Sequence, residues 1–562
     1  MGSLARSLLI LLALLSVQLC VLAQGEQKMG AGVITGRVSV GDKAAPSVVV
    51  IATPGEFGPD RREVARATTD YEGNYRLTGL PAGRYSISPV TPTMIGSSEN
   101  MYGGVGRAVI IGESETIEKI DFTLTRGGVI TGRITDSEGK PVIEERVQLT
   151  PVDNPNRPRY TGYSNPFMYQ TDDRGVYRIY GVAPGRYTLS VGVSPQDGMV
   201  RVGQVSRSYF SRLFYPGESD SQKAGIIEVT EGSELKDIDI KLGQRSQAFS
   251  VSGRVVDATT GQPVVNVLIG YGAYDPSQRR MGAFGFGQTR TDARGQFTLE
   301  GIVPGSFAAF VWNEPGTGGS SDAYSEPAIF TVADADVRGL ELKMKRGAAI
   351  SGVALIEGTS DKRVLARLSQ LSLGASVQSN TPSVVESSRS ATINPDGSFR
   401  ISGLQPGRAS IYLYGYPPPK DLRLVRVERD GAAVPGSGIE LAPGAEVTNV
   451  RVIFEYGNGS IRGQVRAENG ELPEGARLFV MLQKPGDNES TRPIAYTQAD
   501  TRGRFILEGV ASGEYQLSVR AMFSTPRKPV TARQTVTVAN GVETEANVTL
   551  DMTEKEPEVK PQ

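Results

Sequence analysis

The sequence predicts an all-β chain of five tandem Ig-like β-sandwich domains behind a signal peptide. Three observations carry that expectation. One short pattern recurs five times at intervals of about a hundred residues, the size of a small independent domain and too long for a solenoid unit. Apolar and polar residues alternate in short runs, as half-buried strands require. Gly 67 and Pro 34 supply many tight turns, and no stretch has a convincing amphipathic helix period.

The pattern is clearest from Thr171 to Tyr187. Asp172 and Gly175 set a first turn, and Tyr177 and Ile179 alternate with polar residues. Gly181 to Gly185 reads as a second turn, with Pro184 fixing the backbone before a glycine. Tyr187, Leu189 and Val191 then alternate again. The equivalents of Gly181 are Gly79, Gly301, Gly403 and Gly509. Each copy opens on a Gly-containing strand, such as Val129-Ile130-Thr131-Gly132-Arg133-Ile134, and closes on another, such as Ile238-Asp239-Ile240-Lys241-Leu242. Strands with one apolar face bury it by packing two sheets together. The expected domains are 30–126, 127–246, 247–346, 347–456 (degenerate) and 457–553, followed by a disordered charged tail at 554–562. Arg126-Gly127-Gly128 and Lys345-Arg346-Gly347 leave almost no linker, so neighbouring domains should have little freedom to tilt.

Residues 1–23 read as a signal peptide cleaved between Ala23 and Gln24: Arg6 precedes a short run of Leu and Ile, and Ala23 is small. The run is too short for a membrane span, and nothing later approaches one. Cys20 is the only cysteine. A lipid anchor there would need a small residue where Leu19 stands, so loss with the signal is favoured. The expected location is secreted or periplasmic, with cell-surface association open. Lys+Arg 60 against Asp+Glu 61 leaves a formal charge of −1, a balance that implies no nucleic-acid partner.

With opening strand, Asp-x-x-Gly turn, aromatic strand and Pro-Gly turn in hand, each copy resembles the carboxypeptidase regulatory-like domain. That resemblance implies a transthyretin-like β-sandwich and extracytoplasmic modules that pack beside or link others. It brings no catalytic residues. The motifs are specific in copies one to three. Copy four departs with Asn394-Pro395-Asp396-Gly397 and Ala409, and copy five with Ala511-Ser512-Gly513.

The chain has no histidine, which removes zinc-peptidase ligand sets and His-based nucleophile systems. A Ser–Lys pair or two carboxylates remain formally open. No cofactor or metal is expected. Asp70, Asp172, Asp292 and Asp500 supply one regular carboxylate per turn, where calcium wants six to eight oxygens. Turn capping is the favoured reading. A Lys–Asn cross-link from first to last strand is disfavoured because no opening strand carries Lys. Asn449 and Asn547 should then be solvated.

The candidate ligand or interface residues are aromatic. In copy two the strand after the Pro-Gly turn turns Thr188 and Ser190 outward. The same register turns Phe310 and Trp312 outward in copy three, and Tyr412 and Tyr414 in copy four, with Tyr416 beyond. Rings on a wet face need a cover. Domain packing is favoured, and a platform for sugar rings or a partner protein is the rival. The excursion from Ser194 to Gly225 carries Tyr209, Phe210, Phe214 and Tyr215, expected on the sandwich edge or the next domain. The functional expectation is a non-catalytic spacer, adhesion or assembly module at the cell envelope, with an envelope protein or polysaccharide as partner. A carbohydrate-binding array is the alternative, and a carboxylate-based glycoside-active enzyme follows it.

Overall fold

The computed structural model describes residues 32–55, 62–96, 106–152, 169–194, 208–277, 280–312, 322–378, 387–414, 419–436, 438–473, 476–486, 493–523 and 528–553. The expected signal peptide with its Ala23–Gln24 cleavage point, Tyr416 and the tail at 554–562 lie outside them. The chain is all-β, with separate sheets following one another along the sequence. By compactness it divides into one unit built from residues up to Leu124, less Phe57–Pro59 and Pro92–Val105, and a second containing the rest.

Copy four illustrates the plan. One sheet has the order Ser398–Leu404, Ala348–Glu357, Glu446–Tyr456, Leu422–Arg429, Ala432–Ala433. The other has the order Ser387–Thr392, Ser372–Gln378, Gly407–Tyr414, Ile439–Leu441. Alternate residues of both, among them Ile350, Leu373, Val377, Phe399, Ile401 and Val452, meet in one dry core. Complete burial of such a side chain contributes about 2 kcal/mol. A short helix, Lys362–Leu365, runs into a single turn of 3-10 helix, Ala366–Gln370. Asp361 caps its start, and Val364 and Leu368 anchor it in the core. Four to nine residues are too few to leave a helical period in the sequence.

In every copy the closing strand lies parallel to the opening strand. That pairing explains the recurrent glycine of the opening strand. A Cβ on Gly36, Gly132, Gly253, Gly352 or Gly463 would overlap the carbonyl oxygen of Ile120, Ile238, Leu340, Val450 or Ala546 respectively. In copies one and two a tyrosine uses the same carbonyl: Tyr75 donates to Ile120 and Tyr177 to Ile238, both at 2.6 Å. Phenylalanines Phe297, Phe399 and Phe505 replace it in the other three. Burial raises the pKa of Tyr75 and Tyr177, so both hydroxyls stay protonated and keep donating.

Gly181 is not part of a turn, contrary to the sequence reading. It sits inside the strand Val176–Val182 as an extra residue between the pairs Gly128–Val182 and Val129–Tyr180. Its φ of 67°, like the 69–76° of its four equivalents, makes this a glycine bulge. The turn is confined to Ala183-Pro184, where the Tyr187 hydroxyl donates to the Ala183 carbonyl at 2.8 Å.

Candidate interface: aromatic faces and domain joints

The Asp turns are held from within. The Asp172 carboxylate accepts the N–H groups of Arg174 at 3.0 Å and Val176 at 2.8 Å, and pairs with the Arg174 guanidinium at 2.9 Å. Arg174 and those N–H groups hold its carboxyl below the usual aspartate range. Asp292 and Asp500 accept the equivalent two N–H groups. In copy four the duty moves along the turn, where Asp396 accepts Ser398 N–H at 2.9 Å. The preceding Thr69 and Thr291 hydroxyls fasten the turn to the loops before Val49 and Leu268, through Val48 and Ala45 and through Val267 and Val264. Among the described residues, no group of three or more His, Cys, Asp or Glu gathers as a metal centre would. Asn449 and Asn547 are not merely solvated. Asn449 donates to Asp430 at 3.0 Å, and the Asn547 side-chain oxygen accepts Gln464 N–H at 3.1 Å.

The aromatics singled out in the sequence take three different places. In copy three, the strand Gly305–Trp312 turns Phe307, Ala309 and Val311 into the main core. Ala308 and Phe310 face the other way, yet Phe310 is only 5% exposed. It packs with Tyr274 and Trp312 in a second apolar layer, its ring centroid 6.0 Å from that of Trp312. In copy four, Tyr412 and Tyr414 are half-buried on an outer face. A Cβ on Gly374 would strike the Tyr412 ring, so that ring crosses the neighbouring strand at its one residue without a side chain. Its hydroxyl ends 3.2 Å from the Ser388 hydroxyl, on the strand beyond.

The described part of the copy-two excursion, from Ser208, binds two cores. Phe210 is buried in the copy-two core, and Tyr215 packs against it. The Arg245 guanidinium lies 4.6 Å from the centre of the Phe210 ring. Phe214 pairs with Ser190 along the sheet edge. Tyr209 packs instead on the core of copy three, as does Val193. Ser208–Tyr209 also forms a two-stranded ladder with Ser246–Gln247, at the boundary with that copy.

The later joints have their own fastenings. At the third, Gly347 N–H donates to the Asp322 carbonyl at 2.7 Å. Arg400 spans Asp322 at 3.4 Å and Glu446 at 3.0 Å. Arg389 donates to the Gly403 and Ala323 carbonyls, at 3.0 and 3.3 Å. Burial lowers its pKa to about 10, since those partners bring no negative charge. At the fourth, Gly457 N–H donates to the Asp421 carbonyl at 3.0 Å, and Lys420 pairs with Glu508 at 2.5 Å. Arg423 bridges Glu455 at 2.7 Å and the Ile494 carbonyl at 3.2 Å. A Cβ on Gly347 or Gly457 would press on the bulge glycine of the copy that follows, Gly403 or Gly509.

None of these fastenings announces itself in the sequence, because ion pairs across a joint leave no period. One further face had a readable signal. Leu478-Phe479-Val480-Met481-Leu482 is apolar throughout. Leu478, Val480 and Leu482 enter the copy-five core, leaving Phe479 and Met481 half-buried on the opposite face. The exposed Tyr496 stands opposite Met481 in the ladder.

Residues 460–551 match the carboxypeptidase regulatory-like domain. The match falls on copy five, although its Ala511-Ser512-Gly513 departs from the expected Pro-Gly and the sequence motifs are more specific in copies one to three. No curated protein matches the chain. Among solved structures, a streptococcal ancillary pilin is similar at 11% identity and TM-score 0.23, covering 56% of this chain and 99% of its own. The major pilin subunit BcpA of Bacillus cereus gives 10% and 0.15, covering 55% and 100%. The minor pilin GBS52 of Streptococcus agalactiae gives 12% and 0.18, covering 38% and 100%. At such scores the likeness bears on neither function nor partner. Among the described residues, no helix is long and apolar enough to cross a membrane.

Proposed function

We propose that this chain is a non-catalytic, secreted or periplasmic spacer that serves adhesion or assembly at the cell envelope. The observation that carries the reading is how its joints are built. Strands end at Arg346 and Tyr456 and the next begin at Ala348 and Gly459. Both of these joints are fastened by backbone hydrogen bonds and ion pairs between neighbouring copies. The carboxylates there are occupied by arginine or lysine, with Glu446 between Arg346 and Arg400 and Glu508 on Lys420. Paired carboxylates of this kind hold geometry; they are poor general bases.

The test is cell fractionation of the full chain in its producing cell, with protease accessibility, beside a turnover screen of the purified chain on chromogenic peptide, ester and glycoside substrates. Recovery outside the cytoplasmic membrane with no turnover is expected. Cytoplasmic recovery, or turnover at enzyme-like rates, would overturn the proposal.

A further inference from the structure

We infer that the outer face of the copy-four sheet Ser387–Thr392, Ser372–Gln378, Gly407–Tyr414 is a binding site for a neutral polysaccharide, with the Tyr412 ring as its stacking platform. This extends the adhesive part of the proposed function, and its failure would leave the spacer reading standing.

The face is set by register. Three consecutive rows of the ladder place Ser388 beside Ser376, Gly374 beside Tyr412, and Ser372 beside Tyr414. Residues between these positions, Leu373, Ala375 and Val377, enter the core. The outer positions are therefore small hydroxyls around two rings. Gly374 is what allows the arrangement. A side chain there would occupy the space the Tyr412 ring now fills, forcing the ring up and away from the sheet. Without one, the ring reaches across the strand to the Ser388 hydroxyl at 3.2 Å. The ring edge lies where a Gly374 side chain would stand, and the Tyr412 side chain is only half-buried.

Such a surface suits a sugar ring. A pyranose presents weakly positive C–H groups on its flat side, which settle on the negative face of an aromatic ring. Its rim of hydroxyls needs partners that both donate and accept, as serine and tyrosine hydroxyls do.

Charge complementarity selects the class. The three rows contain no charged residue. The next row brings Arg408, whose guanidinium is already held by Glu440 at 3.4 Å. Arg389, on the same strand as Ser388, turns away to the Gly403 carbonyl. Among the described residues of these three rows, an anionic glycan, a nucleic acid or an acidic protein would find no cation to offset its desolvation. An uncharged chain loses nothing by that absence. Copy three lacks the site, since its outward ring Phe310 is buried beneath its own neighbours.

The experiment is native electrophoresis of the full chain through gels containing laminarin, xylan or soluble starch, with polygalacturonate as the anionic control. The expected result is retardation by at least one neutral polymer and none by polygalacturonate. Tyr412→Ala and Gly374→Ser should each weaken that retardation at least tenfold, the second with both tyrosines intact. Tyr412→Phe, which keeps the ring, should weaken it less than threefold. Tyr414→Ser, which touches neither member of the Gly374–Tyr412 pair in the ladder, guards against misfolding of the first pair and should also weaken binding. Absence of retardation by every neutral polymer would overturn the inference. So would unchanged binding in Tyr412→Ala and Tyr414→Ser, stronger retardation by polygalacturonate, or a protein ligand that needs Tyr412 while no sugar binds.

Discussion

The Tyr177 hydroxyl donates to the carbonyl oxygen of Ile238 at 2.6 Å, directly above the glycine whose missing side chain lets that carbonyl approach. The opening strand, the aromatic strand and the closing segment of copy two meet at that point. Tyr177→Phe should cost about 1–2 kcal/mol, the loss of one buried hydrogen bond. The penalty should stay near that value, since copies three to five already carry Phe at the position. Gly132→Ala should cost about 3 kcal/mol by forcing the Ile238 carbonyl aside. Hydrogen exchange resolved to copy two distinguishes the two outcomes.

The Asp172 turn should respond to acid alone. Its carboxyl is held below the ordinary aspartate value by Arg174 and two backbone N–H groups. A lowered folded pKa means the contribution is complete above the unfolded value, about 3.9, and is lost as pH falls through the folded value. Amide protection at Arg174 and Val176 should therefore decline only below about pH 4. Asp172→Asn should remove that acid dependence, as read by NMR at graded pH.

The fourth joint should loosen under a single methyl group. Gly457→Ala presses on the bulge at Gly509, so it should raise protease cleavage between copies four and five while the copy-four core keeps its exchange protection. Arg423→Ala should act in the same direction by about 1–2 kcal/mol. It removes the bond to the Ile494 carbonyl and leaves Glu455 without that cation.

The second layer of copy three can be read through the single tryptophan. Phe310→Ser removes a buried ring packed on Trp312. Emission from Trp312 should shift to the red, with a stability loss of about 3–4 kcal/mol. Loss of stability without a change in Trp312 emission would contradict that second layer.

The parts that repeat were readable in the sequence, because the same steric demand is met five times. The opening glycine, the Asp turn and the inward alternation of Tyr187, Leu189 and Val191 all belong to this class. Gly181 misled because a bulge glycine and a turn glycine share the same backbone preference and differ only in pairing. The outward register of Phe310 and Tyr412 was also legible. Their different fates were not, since alternation reports a direction and says nothing of what lies on top. Tyr412 depends on Gly374, nearly forty residues earlier in the chain, a distance at which no local pattern reports contact. The joint ion pairs escaped for the same reason.

The parallel pairing of first and last strands has a mechanical corollary. The chain comes in at one pole of each copy and leaves at the opposite pole, so tension on the termini slides these two strands along each other. Every hydrogen bond of the ladder then resists together, whereas antiparallel neighbours would peel one bond at a time. The ladder of copy four reaches from Ala349–Glu446 to Glu357–Glu455, while the closing strand of copy two is joined at Ile134–Ile240 and Thr135–Lys241. Stretched between a surface and a cantilever, the array should give way first at copy two and last at copy four.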